Sequence, residues 1–132
     1  MIGKELIGKE SESVVIKLRP EAVRRFTEAT GIPFSDQVPP TYVVTLTQAS
    51  IPGFESPLPG MIHGEQKMTY LRPLHVGESL TSKRRIKDVY ERTSKLGRVT
   101  FMVIETSGYD LAGDLVFTSS STLIAPTKGE GE

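Results

Sequence analysis

Beyond residue 78 the chain reads almost wholly as extended strand. The segments "SLTSKRRIKDVYER" (79–92), "RVTFMVIETSGY" (98–109) and "LVFTSSSTLIAP" (115–126) are rich in β-branched and aromatic residues, and only "TSKLG" and "DLAGD" separate them. "DLAGD" is a hairpin signal, with Gly113 free to take a positive φ. A further strand, "HGEQKMTYLR" (63–72), ends at the turn "RPLHVGE", and "SVVIKL" (13–18) is a short β-branched strand. Strands this long, joined this tightly, predict a strongly curved antiparallel sheet of four or five strands.

Helix signals are fewer. In "RPEAVRRFTEATG" (19–31), Pro20 suits a first helical position, Glu21 suits the positive end of the helix dipole, and Gly31 suits the stop. Ala22, Val23, Phe26, Ala29 and Thr30 fall on one face, so this helix is expected to lie on something apolar. "TYVVTLTQAS" (41–50) is ambiguous. Its β-branched residues favour a strand, whereas Pro39-Pro40 favours a helix start with Tyr42, Val43, Leu46 and Ala49 as its stripe. Periodicity alone does not decide between them.

The chain has 132 residues, enough for one domain with a real core, and no cysteine, which excludes thiol catalysis, disulfides and thiolate metal sites. Sixteen basic residues balance sixteen acidic ones, so no global charge draws it to nucleic acid or an anionic membrane. A metal site built on the two histidines, His63 and His75, would need carboxylates to complete it, and nothing in the pattern implies a metal or a cofactor. No apolar run reaches the roughly 18 residues of a membrane span, and "MIGKELIGKESES" lacks the apolar block of a signal peptide. The expectation is a cytoplasmic domain over residues 1–126, with "TKGEGE" (127–132) as a flexible tail.

The order of "HGEQ", a strand ending in "RPL", then "VGESLT", "DVYE", Thr100-Phe101 followed by Val103 and Glu105-Thr106, and a closing "STLI" resembles the N-terminal, FAS1-like domain of MaoC-type dehydratases, the (R)-specific enoyl-thioester hydratases. The match runs from Leu58 to Ile124, with a weaker one over "RRFTEATG" and "VPPTY". The resemblance implies an α+β, single hot-dog fold: a long central helix, beginning near "PPTY", wrapped by the curved antiparallel sheet. It also implies chemistry. Hydration of a 2-enoyl thioester needs a base for water, an acid, and a place for charge on the thioester oxygen. Catalytic members carry an Asp after the Thr-Gly that ends the first helix and a His a few residues later. Backbone N–H groups at the start of the central helix hold the carbonyl.

This chain departs from that pattern at each place. Ile32 follows Thr30-Gly31, no histidine precedes His63, the loop is shortened to "PFSDQV", and Pro39 and Pro40 carry no N–H. Asp36 reads as a turn residue. His63 and Glu65, two apart on a strand, are expected to share an outward or subunit-facing side with Lys67 and Thr69, opposite Ile62, Met68 and Tyr70. Thr41, Tyr42, Val43, Leu46, Met61, Met68 and Tyr70 are the candidate acyl-chain lining. A core that only fills itself would use the same residues. Lys83, Arg84 and Arg85 are candidate contacts for the phosphates of CoA or for an acyl carrier protein, although a solvated face is the ordinary role of such a cluster.

The expected function is therefore a non-catalytic, tunnel-forming subunit that pairs with a catalytic MaoC-like hot-dog chain, through a seam at "GMIHGEQ", on acyl-CoA or acyl-carrier thioesters. A homodimer is expected when the chain is alone. The alternatives are a self-sufficient homodimeric hydratase or thioesterase using His63 and Glu65, and a non-enzymatic acyl-thioester binding protein.

Overall fold

The computed structural model describes residues 4–46, 51, 62–95 and 97–126. Strand β1 (Val14–Lys17) leads into helix α1 (Pro20–Thr30), and β2 (Ile62–Tyr70), β3 (Ser79–Ser94), β4 (Gly97–Tyr109) and β5 (Leu115–Pro126) complete one sheet. Its spatial order is β1-β3-β4-β5-β2, antiparallel throughout, so β1 and β2 are the edges. The three long C-terminal strands lie side by side, as their short links require. In the β4–β5 turn Gly113 adopts φ 89°, and Asp110 Oδ1 accepts the N–H groups of Ala112 and Asp114, each at 3.0 Å.

Alternation divides the sheet into an outer and an inner face. Inner residues form two apolar clusters. The larger joins Ile16, Leu18, Leu80, Val116 and Phe117 to Val23 of α1 and to Val38, Tyr42, Val43 and Leu46. The smaller holds Leu6, Ile51, Ile86, Val89, Met102 and Ile104. On the outer face Tyr90 stacks on Phe101 at 5.0 Å, with the Arg92 guanidinium 4.7 Å from the Tyr90 ring. The register continues this row through Ile124 to Ile62.

Helix α1 starts at Pro20 and stops at Gly31, whose φ of 74° is the left-handed cap a glycine accepts without strain. Its inward stripe is centred on Val23 and Thr27, with Ala22 and Phe26 half-buried; Ala29 and Thr30, expected on that stripe, are exposed. The Thr27 hydroxyl donates to the Arg24 carbonyl at 2.9 Å. The segment opening at Pro40 is helical, as the resemblance implies, but winds as a six-residue 3-10 turn over Pro40–Thr45. Val43, Val44 and Thr45 are β-branched and lose side-chain freedom in an α-helix. Residues 47–50, the rest of the segment where the central helix was expected, lie outside the described residues, as do 52–61 and 127–132, the expected tail. No helix among the described residues is long and apolar enough to cross a membrane.

Gly108 faces Phe117 across the β4–β5 ladder, and a Cβ there would stand 2.1 Å from the Phe117 ring. Phe117 is fully buried in the larger cluster. Gly108→Ala is expected to lower unfolding stability by about 3 kcal/mol through overpacking, measurable by urea denaturation, while Gly113→Ala, with open space around it, acts only through its backbone.

Candidate functional site

The loop after α1 is tied down along its length. Val76 N–H donates to the Asp36 carbonyl (2.8 Å), Val38 N–H donates to the Leu74 carbonyl (2.8 Å), and Gln37 bridges His75. Ser35 Oγ bonds both the N–H and the carbonyl of Gln37 at 3.3 Å, the turn expected of Ser35-Asp36. Ile32 and Asp36 are exposed, and no histidine ring reaches either through a hydrogen bond among the described residues. The strap on the other side is the turn after β2. There Arg72 grips Glu78 through both guanidinium nitrogens, Nη1–Oε1 at 3.2 Å and a closer Nη2–Oε2 contact. Glu78 Oε1 also accepts the His75 N–H at 3.2 Å.

The start of the 3-10 turn offers little to a carbonyl ligand. Pro39 and Pro40 have no N–H, and the Tyr42 N–H is taken by the Pro39 carbonyl at 2.9 Å. The Tyr70 hydroxyl donates to the Pro40 carbonyl, pinning this turn to strand β2. Burial pushes the Tyr70 phenol up to about 12, so it stays a neutral donor at any physiological pH.

Strand β2 overturns one expectation. A β-bulge at Gly64 breaks the register: His63 pairs with Leu123 and Glu65 with Thr122. Leu123 and Thr122 are consecutive on β5 and point to opposite faces, so His63 and Glu65 do too. His63 joins Gln66, Met68 and Tyr70 on the inner side. Ile62, expected in the core, pairs with Ile124 on the outer face and is 61% exposed. A Cβ at Gly64 would stand 2.7 Å from Ile124 Cδ1, so the bulged position suits a glycine. A His63–Glu65 acid–base pair is therefore not formed within this chain.

What His63 meets instead is an amide network. Its Nε2 lies 2.9 Å from Gln66 Oε1. Gln66 Oε1 also accepts the Ser121 hydroxyl at 2.6 Å, and Gln66 Nε2 donates to Ser119 Oγ at 2.5 Å. Sequence reasoning missed Gln66, Ser119 and Ser121. The available signal was the lone glycine inside a strand pattern, which marks a bulge and shifts every later side chain by one face.

Of the candidate lining, Tyr42, Val43 and Leu46 are buried, and Met68 and Tyr70 pack half-buried against them. Phe26 meets Tyr42 edge-to-face at 5.3 Å. Thr41 is exposed, and Met61 lies outside the described residues. The basic cluster divides as alternation requires. Lys83, Arg84 and Arg85 line a groove of about 300 Å³ with Glu10, Glu105, Ser107 and Tyr109, the Lys83 and Arg85 side chains on the outer face. Lys83 pairs with Glu10 at 3.1 Å and Arg85 with Glu105 at 3.0 Å. Arg84 shares the inner alternation of buried Ser82 and Ile86, and burial holds its pKa below the usual guanidinium value. The Lys83 and Arg85 side chains and the apolar lining thus lie on opposite faces of the sheet.

Comparison with known proteins agrees with this geometry. The family model for the FAS1-like dehydratase domain region matches residues 5–119. The chain belongs to that family of dehydratase-related domains. A UPF0336 protein of Streptomyces avermitilis is 28% identical, aligned over 84% of this chain and 85% of its own. Among solved structures, the C-terminally truncated HadBC (3R-hydroxyacyl-ACP dehydratase) complex of Mycobacterium tuberculosis superposes with a TM-score of 0.75 at 17% identity, covering 94% of this chain and 100% of that one. The ChsH1-ChsH2 complex of the same organism gives 0.68 at 15%, covering 92% and 87%. A MaoC-like dehydratase of Phytophthora capsici gives 0.74 at 21%; it covers 99% of this chain, which spans 54% of that one. These likenesses fix the fold as the hot-dog.

Glu78 is held below the usual carboxylate value, first by its hydrogen bond to Arg72. A carboxyl with a lowered native pKa adds stability that is fully present above its unfolded value and is lost as pH falls through the native one. Arg72 is 37% exposed, so solvent screening keeps the effect modest. Glu78→Gln is expected to lower Tm by roughly 3 °C at pH 7. The gap to the wild type should narrow as pH drops below 4.5 and close near the acid limit. Calorimetry across pH checks both.

Proposed function

We propose that this chain is the non-catalytic, tunnel-forming subunit of an (R)-specific 3-hydroxyacyl-thioester dehydratase or enoyl hydratase, working with a separate catalytic hot-dog chain in the cytoplasm. The observation that carries this reading is the loop after α1. Where the resembling enzymes carry Asp and His, this chain has an exposed isoleucine and a backbone committed to the turn at Leu74–Val76. On this reading water activation comes from a second hot-dog unit. The solved relatives support this, since two of them are complexes of paired chains.

The contribution of this chain is shape. Tyr42, Val43, Leu46, Met68 and Tyr70 offer an apolar wall, to which Thr41 and Met61 are assigned as flanking contacts. Strand β2 ends the sheet and is the edge at which a second hot-dog would continue it. Lys83 and Arg85, with Arg84 beside them, are the assigned contact for an acidic carrier protein or CoA phosphates, approached from the outer face. The alternative of a self-sufficient enzyme would have to bring His63 and Glu65 together across a homodimer seam, because the Gly64 bulge puts them on opposite faces within one chain.

The test is reconstitution with a hot-dog chain that carries the Asp and His, encoded beside this one. Crotonyl-CoA hydration should be absent with this chain alone and appear, or rise at least tenfold over the catalytic chain alone, on mixing. Full activity from this chain by itself would falsify the reading.

A further inference from the structure

The network around His63 has a property that neither the fold nor the missing catalytic pair requires. Gln66 Nε2 faces Ser119 Oγ at 2.5 Å and its Oε1 faces Ser121 and His63. A carbonyl oxygen only accepts. With the amide set this way, the proton between the two belongs on His63 Nε2, 2.9 Å away. In the neutral ring this leaves Nδ1 as a bare lone pair, and Nδ1 meets no hydrogen-bond partner among the described residues. The ring is exposed on the inner side of the edge strand, in the same alternation as Met68 and Tyr70 of the apolar wall. A fixed acceptor at the rim of an apolar wall fits a ligand with an apolar body and one O–H group.

Building on the subunit reading above, we infer that His63 Nδ1 accepts the 3-hydroxyl of the 3-hydroxyacyl thioester and so distinguishes the hydrated from the dehydrated form of the substrate. The two forms differ there in one donor: the hydroxyacyl chain has an O–H at carbon 3, the enoyl chain has none. A hydroxyl moved from water to an apolar surface without a partner is disfavoured, and an acceptor held in place removes that penalty. Gln66 is the positioning residue, acting through the tautomer it imposes. Ser119 and Ser121 hold Gln66. The Gly64 bulge is what brings the ring to this face; without it His63 would lie on the outer side with Glu65.

The two histidines make nitrogen-15 NMR of the imidazoles direct, with a His75→Gln variant to assign them. The purified full chain is titrated with (R)-3-hydroxybutyryl-CoA and, in parallel, butyryl-CoA. The expected result is a His63 ring protonated on Nε2, whose Nδ1 resonance moves with the hydroxyacyl thioester and not with the butyryl one. The hydroxyacyl thioester should bind roughly fivefold to tenfold more tightly, the scale of one neutral hydrogen bond. His63→Ala should equalise the two affinities. Gln66→Leu should keep the ring but mix its tautomers and lower the preference, a spectroscopic change that loss of packing alone does not produce. The inference is overturned by a proton on Nδ1, by equal responses to both thioesters, by a preference that survives His63→Ala, or by no response at millimolar ligand. The reconstitution assay reports on the subunit reading separately: a mixture that hydrates normally while His63→Ala keeps the hydroxyacyl preference removes the role of His63 and leaves the pairing intact.

Discussion

The ring of Phe117 rests on the bare backbone of Gly108, and much of the inner face is organised around that contact. With no side chain at Gly108, the aromatic ring lies flat against β4 and fills the space between the sheet and the segments that cross it. Tyr70 packs against the same ring at 6.0 Å, and its hydroxyl reaches the Pro40 carbonyl. One close approach inside the sheet thereby sets the height at which β2 and the 3-10 turn meet. Val23 and Phe26 of α1 close the same cluster from the other side.

The inner face is apolar at both ends and polar between them. Ser82, Arg84, Thr106, Ser119, Ser121 and Gln66 share inner rows of the register, between the larger and smaller clusters. A filled core has no need of such a belt, since each polar group there must find a partner or carry a desolvation cost of about 1–3 kcal/mol. On β2 and β5 the partners are found in one compact network, at the strand that ends the sheet. On β3, Ser11 closes a pair of bonds with the Arg84 backbone, accepting its N–H at 2.9 Å and donating to its carbonyl at 2.8 Å.

Much of this was legible in the sequence, and the reasons differ by element. The long C-terminal strands announce themselves because β-branched runs and short links allow little else, and Lys83, Arg84 and Arg85 fall on the faces that simple alternation assigns. Helix α1 is bounded by Pro20 and Gly31, whose backbone preferences act locally. In the loop after it, Ile32 following Thr30-Gly31 and the lack of a histidine before His63 are read directly from the sequence. Strand β2 is where the reading fails. Alternation assumes an unbroken ladder, and the ladder breaks at Gly64, the one glycine within that strand. For Pro40–Thr45 the sequence signal was divided between two periodicities, and the structure adopts a third, tighter winding.

The Gly64 bulge also governs what can be added to the free edge of the sheet. A strand that zips along β2 from Tyr70 meets regular spacing as far as Glu65 and then an extra residue. To continue past it, the incoming strand must carry a matching irregularity or stop. An arbitrary extended peptide does neither, so the ladder it can form is short. A neighbour that extended the sheet along the whole of β2 would need the complementary break in its own backbone.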